Sequence, residues 1–139
     1  MRDNGPVTNR EVLMNDDDIL VSGTDTGGRL KFANKSFVDI SGFTDDELIG
    51  SPHNVVRHSD MPKEAFANLW ETIKAGLPWQ GLVKNRTKNG DHYWVRATVT
   101  PTLEKGEVTG YVSIRTKPTD TEKKRAESIY ADLRKGEAK

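Results

Sequence analysis

Cysteine is missing altogether from the 139 residues. Its absence excludes disulfides, zinc–thiolate sites, cysteine nucleophiles and any photochemistry that runs through a cysteinyl adduct. Net charge is missing too, since 21 Lys and Arg balance 21 Asp and Glu. No global field then draws nucleic acid or an anionic membrane toward the chain, and neither is expected as a partner. No apolar run approaches the roughly 20 residues that span a bilayer, and no signal-like apolar segment opens the sequence. Direct membrane insertion is therefore not expected, and a reducing, cytoplasmic setting fits. Repeats and low-complexity tracts are also absent. What is present, 30% charged and 34% hydrophobic residues, suits an ordinary globule of one domain with a single core.

Residues 1–18 are polar and end in the acidic run Asp16–Asp18, which reads as an arm or cap. ILVSGTD (19–25) and RLKFA (29–33) read as strands about a tight turn at Gly27–Gly28. Asn34 is placed to cap a short helix, KSFVDISG, closed by Gly42. Thr44 and Glu47 have capping-box spacing, and Gly50 ends that turn. In KEAFANLWETIKAG, Phe66, Leu69, Trp70 and Ile73 recur at helical spacing before the stop at Gly76. Three strands follow, over 79–87, 92–100 and 108–116, with turn signals at Asn89–Gly90 and Lys105–Gly106. Alternation sends Tyr93, Val95, Ala97 and Val99 to the core and Trp94, Arg96 and Thr98 to the outer face.

After Pro118, Thr119 and Glu122 again have capping-box spacing. The charged helix that follows carries a narrow apolar stripe of Ala126, Ile129, Tyr130 and Leu133. This order implies an α+β class: one five-stranded antiparallel sheet with helices crossing one face and a ligand-sized cavity between. Gly81, Ala97 and Gly110 are the small residues expected to keep the inner face open. The expected division is an arm or cap over 1–18, one central domain over 19–118 and an exit helix or linker over 119–139.

The segment PHNVVRHSDMP (52–62) gathers two histidines, an arginine and an aspartate between prolines. His53 and His58 are five apart and share no helix face, and His92 is the only other histidine, so a metal site is not expected. No nucleophile accompanies them, so neither is catalysis. Two readings stand. Asp60 can cap the following helix with Arg57 paired to it on the surface, or Arg57, His58 and Asp60 can line a ligand pocket where guanidinium meets phosphate. Asn85 shares strand parity with Trp79 and Val83 and points inward, where a buried carboxamide needs partners. Trp94, on the outer face, wants cover from the arm, a second protomer or a following domain.

The strings FANKSFVDISGFTDDELIG, RTKNGDHYWV and GYVSIRT, in this order of elements, resemble the PAS sensor family over roughly residues 19–118. PHNVVRHSDMP, LPWQGLVKNR and KNGDHYWVRA are most similar to the FAD-binding PAS domains of bacterial aerotaxis receptors. That resemblance implies a non-catalytic FAD whose redox state reports oxygen or electron-transport status to a downstream signalling domain of the same receptor. It implies pocket roles for Arg57, His58, Asp60 and Asn85, with Trp79 stacking on or shielding the ring. Trp70 and His53 are further candidates, as is Asn34 beyond its capping role. A homodimer through the Trp94 face or the N-terminal arm is a further expectation. Light-sensing LOV domains differ by a reactive cysteine, and by a second asparagine where this chain has Val95. The competing expectations are a haem- or metabolite-binding PAS sensor and a cofactor-free PAS dimerisation module.

Overall fold

The computed structural model describes residues 6–137, so the first five residues of the arm and the last two of the exit segment lie outside the described residues. Five strands, β1 (Leu20–Thr24), β2 (Leu30–Ala33), β3 (Trp79–Arg86), β4 (His92–Glu104) and β5 (Glu107–Thr116), form one antiparallel sheet in the order β2-β1-β5-β4-β3. The helices α1 (Lys35–Ser41), α2 (Asp45–Leu48) and α3 (Lys63–Lys74), with a 3-10 turn at His53–Val56, lie between β2 and β3 in sequence. Helix α4 (Asp120–Glu137) follows β5.

Local chemistry accounts for most boundaries. Asn34 Oδ1 accepts from the Phe37 N–H at 3.1 Å and starts α1, and Gly42 ends it at φ 76. Thr44 and Glu47 close a full capping box. Lys105 and Gly106, at φ 52 and 82, make the tight turn whose flanking residues Glu104 and Glu107 already pair. Period-two alternation buries Tyr93, Val95, Ala97 and Val99 against Phe37, Leu48, Val56 and Ile73. Burying side chains of this size stabilises the fold by ~1.5–3 kcal/mol each.

Two expectations change. Trp94 is only 4% exposed, because Tyr130 of α4 stacks on it with ring centroids 6.3 Å apart. The Tyr130 hydroxyl also donates to the Leu82 carbonyl at 2.6 Å. The outer-face tryptophan is covered by the exit helix of its own chain. The arm instead pairs with the start of β4: Val12 N–H donates to the His92 carbonyl at 2.7 Å, and His92 N–H to the Arg10 carbonyl at 3.0 Å.

Asp60 does not cap α3. Pro62 occupies the N-cap position without a side-chain bond, and the exposed N–H groups of Lys63 and Glu64 donate to the Glu137 carboxylate of α4, each at 3.0 Å. Long-range capping of this kind carries no local sequence signal.

Candidate functional site

Between the sheet and α3 lies a cavity of about 310 Å³. Its floor is every second residue of the strands: Ser22 and Thr24 from β1, Val83 and Asn85 from β3, Ala97 and Val99 from β4, and Tyr111, Ser113 and Arg115 from β5. Its roof is the stripe Phe66, Leu69, Trp70 and Ile73 of α3, completed by His53, Asn54, Val56 and Arg57. At one end Gly28 sits at φ 86, where a Cβ would come within 3.1 Å of the Trp70 ring. Only glycine combines that backbone with so close an approach.

The segment around residue 52 crosses from one edge of the sheet to the other. Near β2 it pairs Pro52 with Arg29, and His53 N–H donates to the Gly28 carbonyl at 2.8 Å; near β3 it pairs Arg57 with Asn85. Because the chain is extended at Arg57, neighbouring side chains leave on opposite sides. Arg57 faces the cavity, its guanidinium 4.0 Å from the centroid of the Phe66 ring. His58 faces away. Its Nδ1 accepts from the Asp60 N–H at 3.0 Å, and its ring meets His92 edge-on with centroids 5.9 Å apart. Burial and the Lys84 charge hold this imidazole at about 4, neutral at physiological pH. Asp60 pairs with Lys84 at 2.7 Å rather than with Arg57, and its carbonyl accepts from Arg134.

The sequence candidates therefore divide. His53, Arg57, Trp70 and Asn85 meet at the cavity. His58 and Asp60 stand behind the wall. Trp79 is buried but does not border the cavity: its indole folds over Gly81 and donates from Nε1 to Asn68 Oδ1 at 2.8 Å, tying β3 to α3. Asn34 is wholly committed to backbone, accepting also from Val21 N–H at 3.0 Å and donating to the Ile19 carbonyl at 2.8 Å. Of the three small residues expected to open the inner face, Ala97 alone does so. The indole of Trp79 occupies the space beside Gly81, and the Thr24 carbonyl lies 2.3 Å from where a Cβ of Gly110 would stand.

Arg115 is the site residue that sequence reasoning missed. It is 2% exposed, and its Nη2 donates to Ser22 Oγ at 2.8 Å and to His53 Nε2 at 2.5 Å. Its guanidinium lies 4.7 Å from the centre of the Phe37 ring. Burial lowers its proton affinity to about 10, so it remains a cation at neutral pH. Its strand parity with Tyr111 and Ser113 is a signal in the sequence, although arginine ordinarily faces water.

A guanidinium only donates, so His53 Nε2 accepts and the proton of the neutral ring sits on Nδ1. Burial first, and the Arg115 charge second, hold His53 down at about 3. Arg115 Nη1, Asn85 Nδ2 and the neighbouring Tyr93 Oη are buried without hydrogen-bond partners among the described residues. Leaving such groups unmet costs ~1–3 kcal/mol each. The site offers an apolar slot with unmet donors at its polar end, a chemistry for binding a flat, partly polar molecule. Among the described residues no cluster of His, Asp and Glu could hold a metal ion, and no helix is long and apolar enough to cross a membrane.

A PAS fold profile matches residues 30–115. The aerotaxis receptor of Escherichia coli is 52% identical over 130 residues, covering 94% of this chain and 26% of that protein. The nitrogen fixation regulatory protein of Klebsiella pneumoniae is 26% identical over 98 residues, covering 70% of this chain and 20% of that protein. This chain thus spans about a quarter of the first relative and a fifth of the second. Among solved structures, the dark state of the blue-light photoreceptor Aureochrome1 LOV superposes with a TM-score of 0.69 at 16% identity, over 85% of this chain and 86% of that one. The sheet order, the helices enclosing a cavity on one face and the profile match agree: this chain belongs to the PAS family.

Proposed function

We propose that this chain is the sensor unit of an aerotaxis receptor, holding FAD in its cavity and turning the redox state of the flavin into a conformational signal. The observation that carries this reading is the pairing of an apolar slot with buried, unmatched donors on Asn85 and Arg115. An isoalloxazine ring has the same two-sided character, one edge apolar and the other rich in acceptors. When bound, FAD supplies electron storage, and the protein supplies position and electrostatics. Asn85 and Arg115 would hold its polar edge, Val83, Val99, Leu69 and Trp70 would enclose the ring, and Arg57 would supply a guanidinium for phosphate. His58 and Asp60 contribute indirectly, by fixing the strand that presents Arg57.

Identity to a receptor whose name is aerotaxis supports the oxygen- or energy-sensing role. It also supports a chain that binds and signals rather than one that turns over substrate. In this reading residues 19–118 are the sensor, 1–18 an arm and 119–139 the exit, in a cytoplasmic setting with a downstream signalling domain as partner. Purification under flavin-replete conditions, followed by heat release and chromatography, tests it. Stoichiometric FAD is expected. FMN, a Soret band or an empty protein would overturn it.

A further inference from the structure

The histidine in the cavity wall is locked into one protonation state by its neighbour. His53 presents Nε2 to Arg115 at 2.5 Å and to Ser22 Oγ at 3.2 Å. Phe37 closes the ring edge-on at 6.1 Å. The groups around it are Ser22 from β1, Phe37 from α1, and from β5 Arg115, which is flanked in turn by Tyr93 of β4. Arg115 is the charge acting on the ring, and no carboxylate opposes it. A proton on Nε2 would face a guanidinium across a part-buried hydrogen bond, an arrangement with two cations and no anion.

Negative charge arriving in the cavity reverses that balance. Arg115 has an unmatched Nη1 toward which such charge is drawn, and its field at His53 is then offset. We infer that His53 is a redox-coupled proton acceptor: the first electron delivered to the ligand in the cavity is matched by one proton taken up at His53 Nε2. The step balances. A one-electron donor, a reduced carrier in the cell or dithionite in a cuvette, is oxidised and its electron passes to the ligand in the cavity; hydronium in the medium gives up the proton, one N–H bond forms at His53 Nε2, and the hydrogen bond that this atom accepts from Arg115 is lost. The cavity keeps its net charge, and the signal becomes the conversion of the Arg115–His53 hydrogen bond into a repelling pair on the sheet's inner face. This step rests on flavin occupying the cavity.

The test is the midpoint potential of the first electron as a function of pH, in wild type and in His53→Gln, which keeps an acceptor for Arg115 and cannot titrate. Wild type is expected to lose about 59 mV per tenfold fall in proton concentration, the slope of one proton per electron, and His53→Gln to be flat over the same range. A flat wild type, or a variant that keeps the slope, overturns the inference, the latter because the proton then goes elsewhere. Should His53→Gln lose its flavin, nitrogen NMR of wild type labelled at histidine decides in the fully reduced, diamagnetic state. His53 is expected to change from neutral ring to imidazolium on reduction, and a neutral ring in both states overturns the proposal. Absence of a flavin spectrum before any titration would instead overturn the reading of the cavity itself.

Discussion

Along β4, Tyr93 and Trp94 are neighbours on opposite faces of the sheet, and both are buried. Trp94 is finished by the chain itself: Tyr130 stacks on it and bonds to the adjacent strand, Lys84 lies 5.9 Å from the ring centre, and Arg96 pairs with Glu122 beside it. Tyr93 is not finished in this way. Its hydroxyl lies beside the Asn85 amide across from it, and Asn85 and Arg115 border the cavity, with Arg115 Nη1 buried and without a hydrogen-bond partner among the described residues. The same sheet therefore has its own exit helix packed on one face at Trp94 and a cavity bordered by Asn85 and Arg115 on the other. Polar atoms left unmet under otherwise complete packing point to function rather than to poor folding.

The largest effect is expected from completing the inner face artificially. Ala97 is buried and borders the cavity, so Ala97→Leu places methyl groups where a ring would lie. Flavin affinity should fall by more than about 100-fold, while the apo protein should gain ~1 kcal/mol in urea melts from added apolar burial. Retained stoichiometric flavin would show that the ligand sits elsewhere.

Opening the outer face is the reverse experiment. Tyr130→Ala removes the stack on Trp94 and the bond to Leu82, at an expected cost of ~3 kcal/mol. Tryptophan emission should shift to the red as Trp94 meets water. If the two faces are independent, flavin affinity should change less than about threefold. A tenfold loss would join them through the contact between α4 and α3.

Acid should separate the faces by pH. His53 and His58 lie at about 3 and about 4 in the folded protein, below the ordinary 6.5. The unfolded chain therefore binds protons that the folded chain refuses. The stability they contribute is complete above pH 6.5 and is lost as pH falls from 6.5 toward about 3. His53 alone gives a slope of about 1.4 kcal/mol per pH unit within that window. In the apo protein His53→Gln should flatten that limb, and an unchanged slope would assign it to other groups.

The smallest effect belongs to the rim. Glu122 accepts from Arg96 across a half-buried pair at the rim, which keeps its carboxyl at about 2. In spite of that low value, Glu122→Gln should change stability by under ~1 kcal/mol, because water and salt screen such pairs. A larger loss in chemical denaturation would mean that this pair, rather than Tyr130, anchors the exit helix.

Much of the molecule was determined by the sequence alone, wherever the cause is local. The caps at Asn34 and Thr44, the turn at Lys105–Gly106 and the alternation of Tyr93 through Val99 depend on residues a few positions apart, so a linear reading found them. The inward side of Asn85 followed from parity in the same way. Tertiary structure alone decided which groups in PHNVVRHSDMP share a site: the backbone pairing of Arg57 with Asn85 sends Arg57 inward and His58 outward. It also decided that Glu137 serves the start of α3, that Tyr130 covers Trp94 and that Trp79 fills the space beside Gly81. Above all it buried Arg115 against His53, two residues 62 positions apart. An arginine's usual place is in water, and only the closed sheet, with Ser22, Phe37 and His53 converging on one point, shows that this one is kept inside.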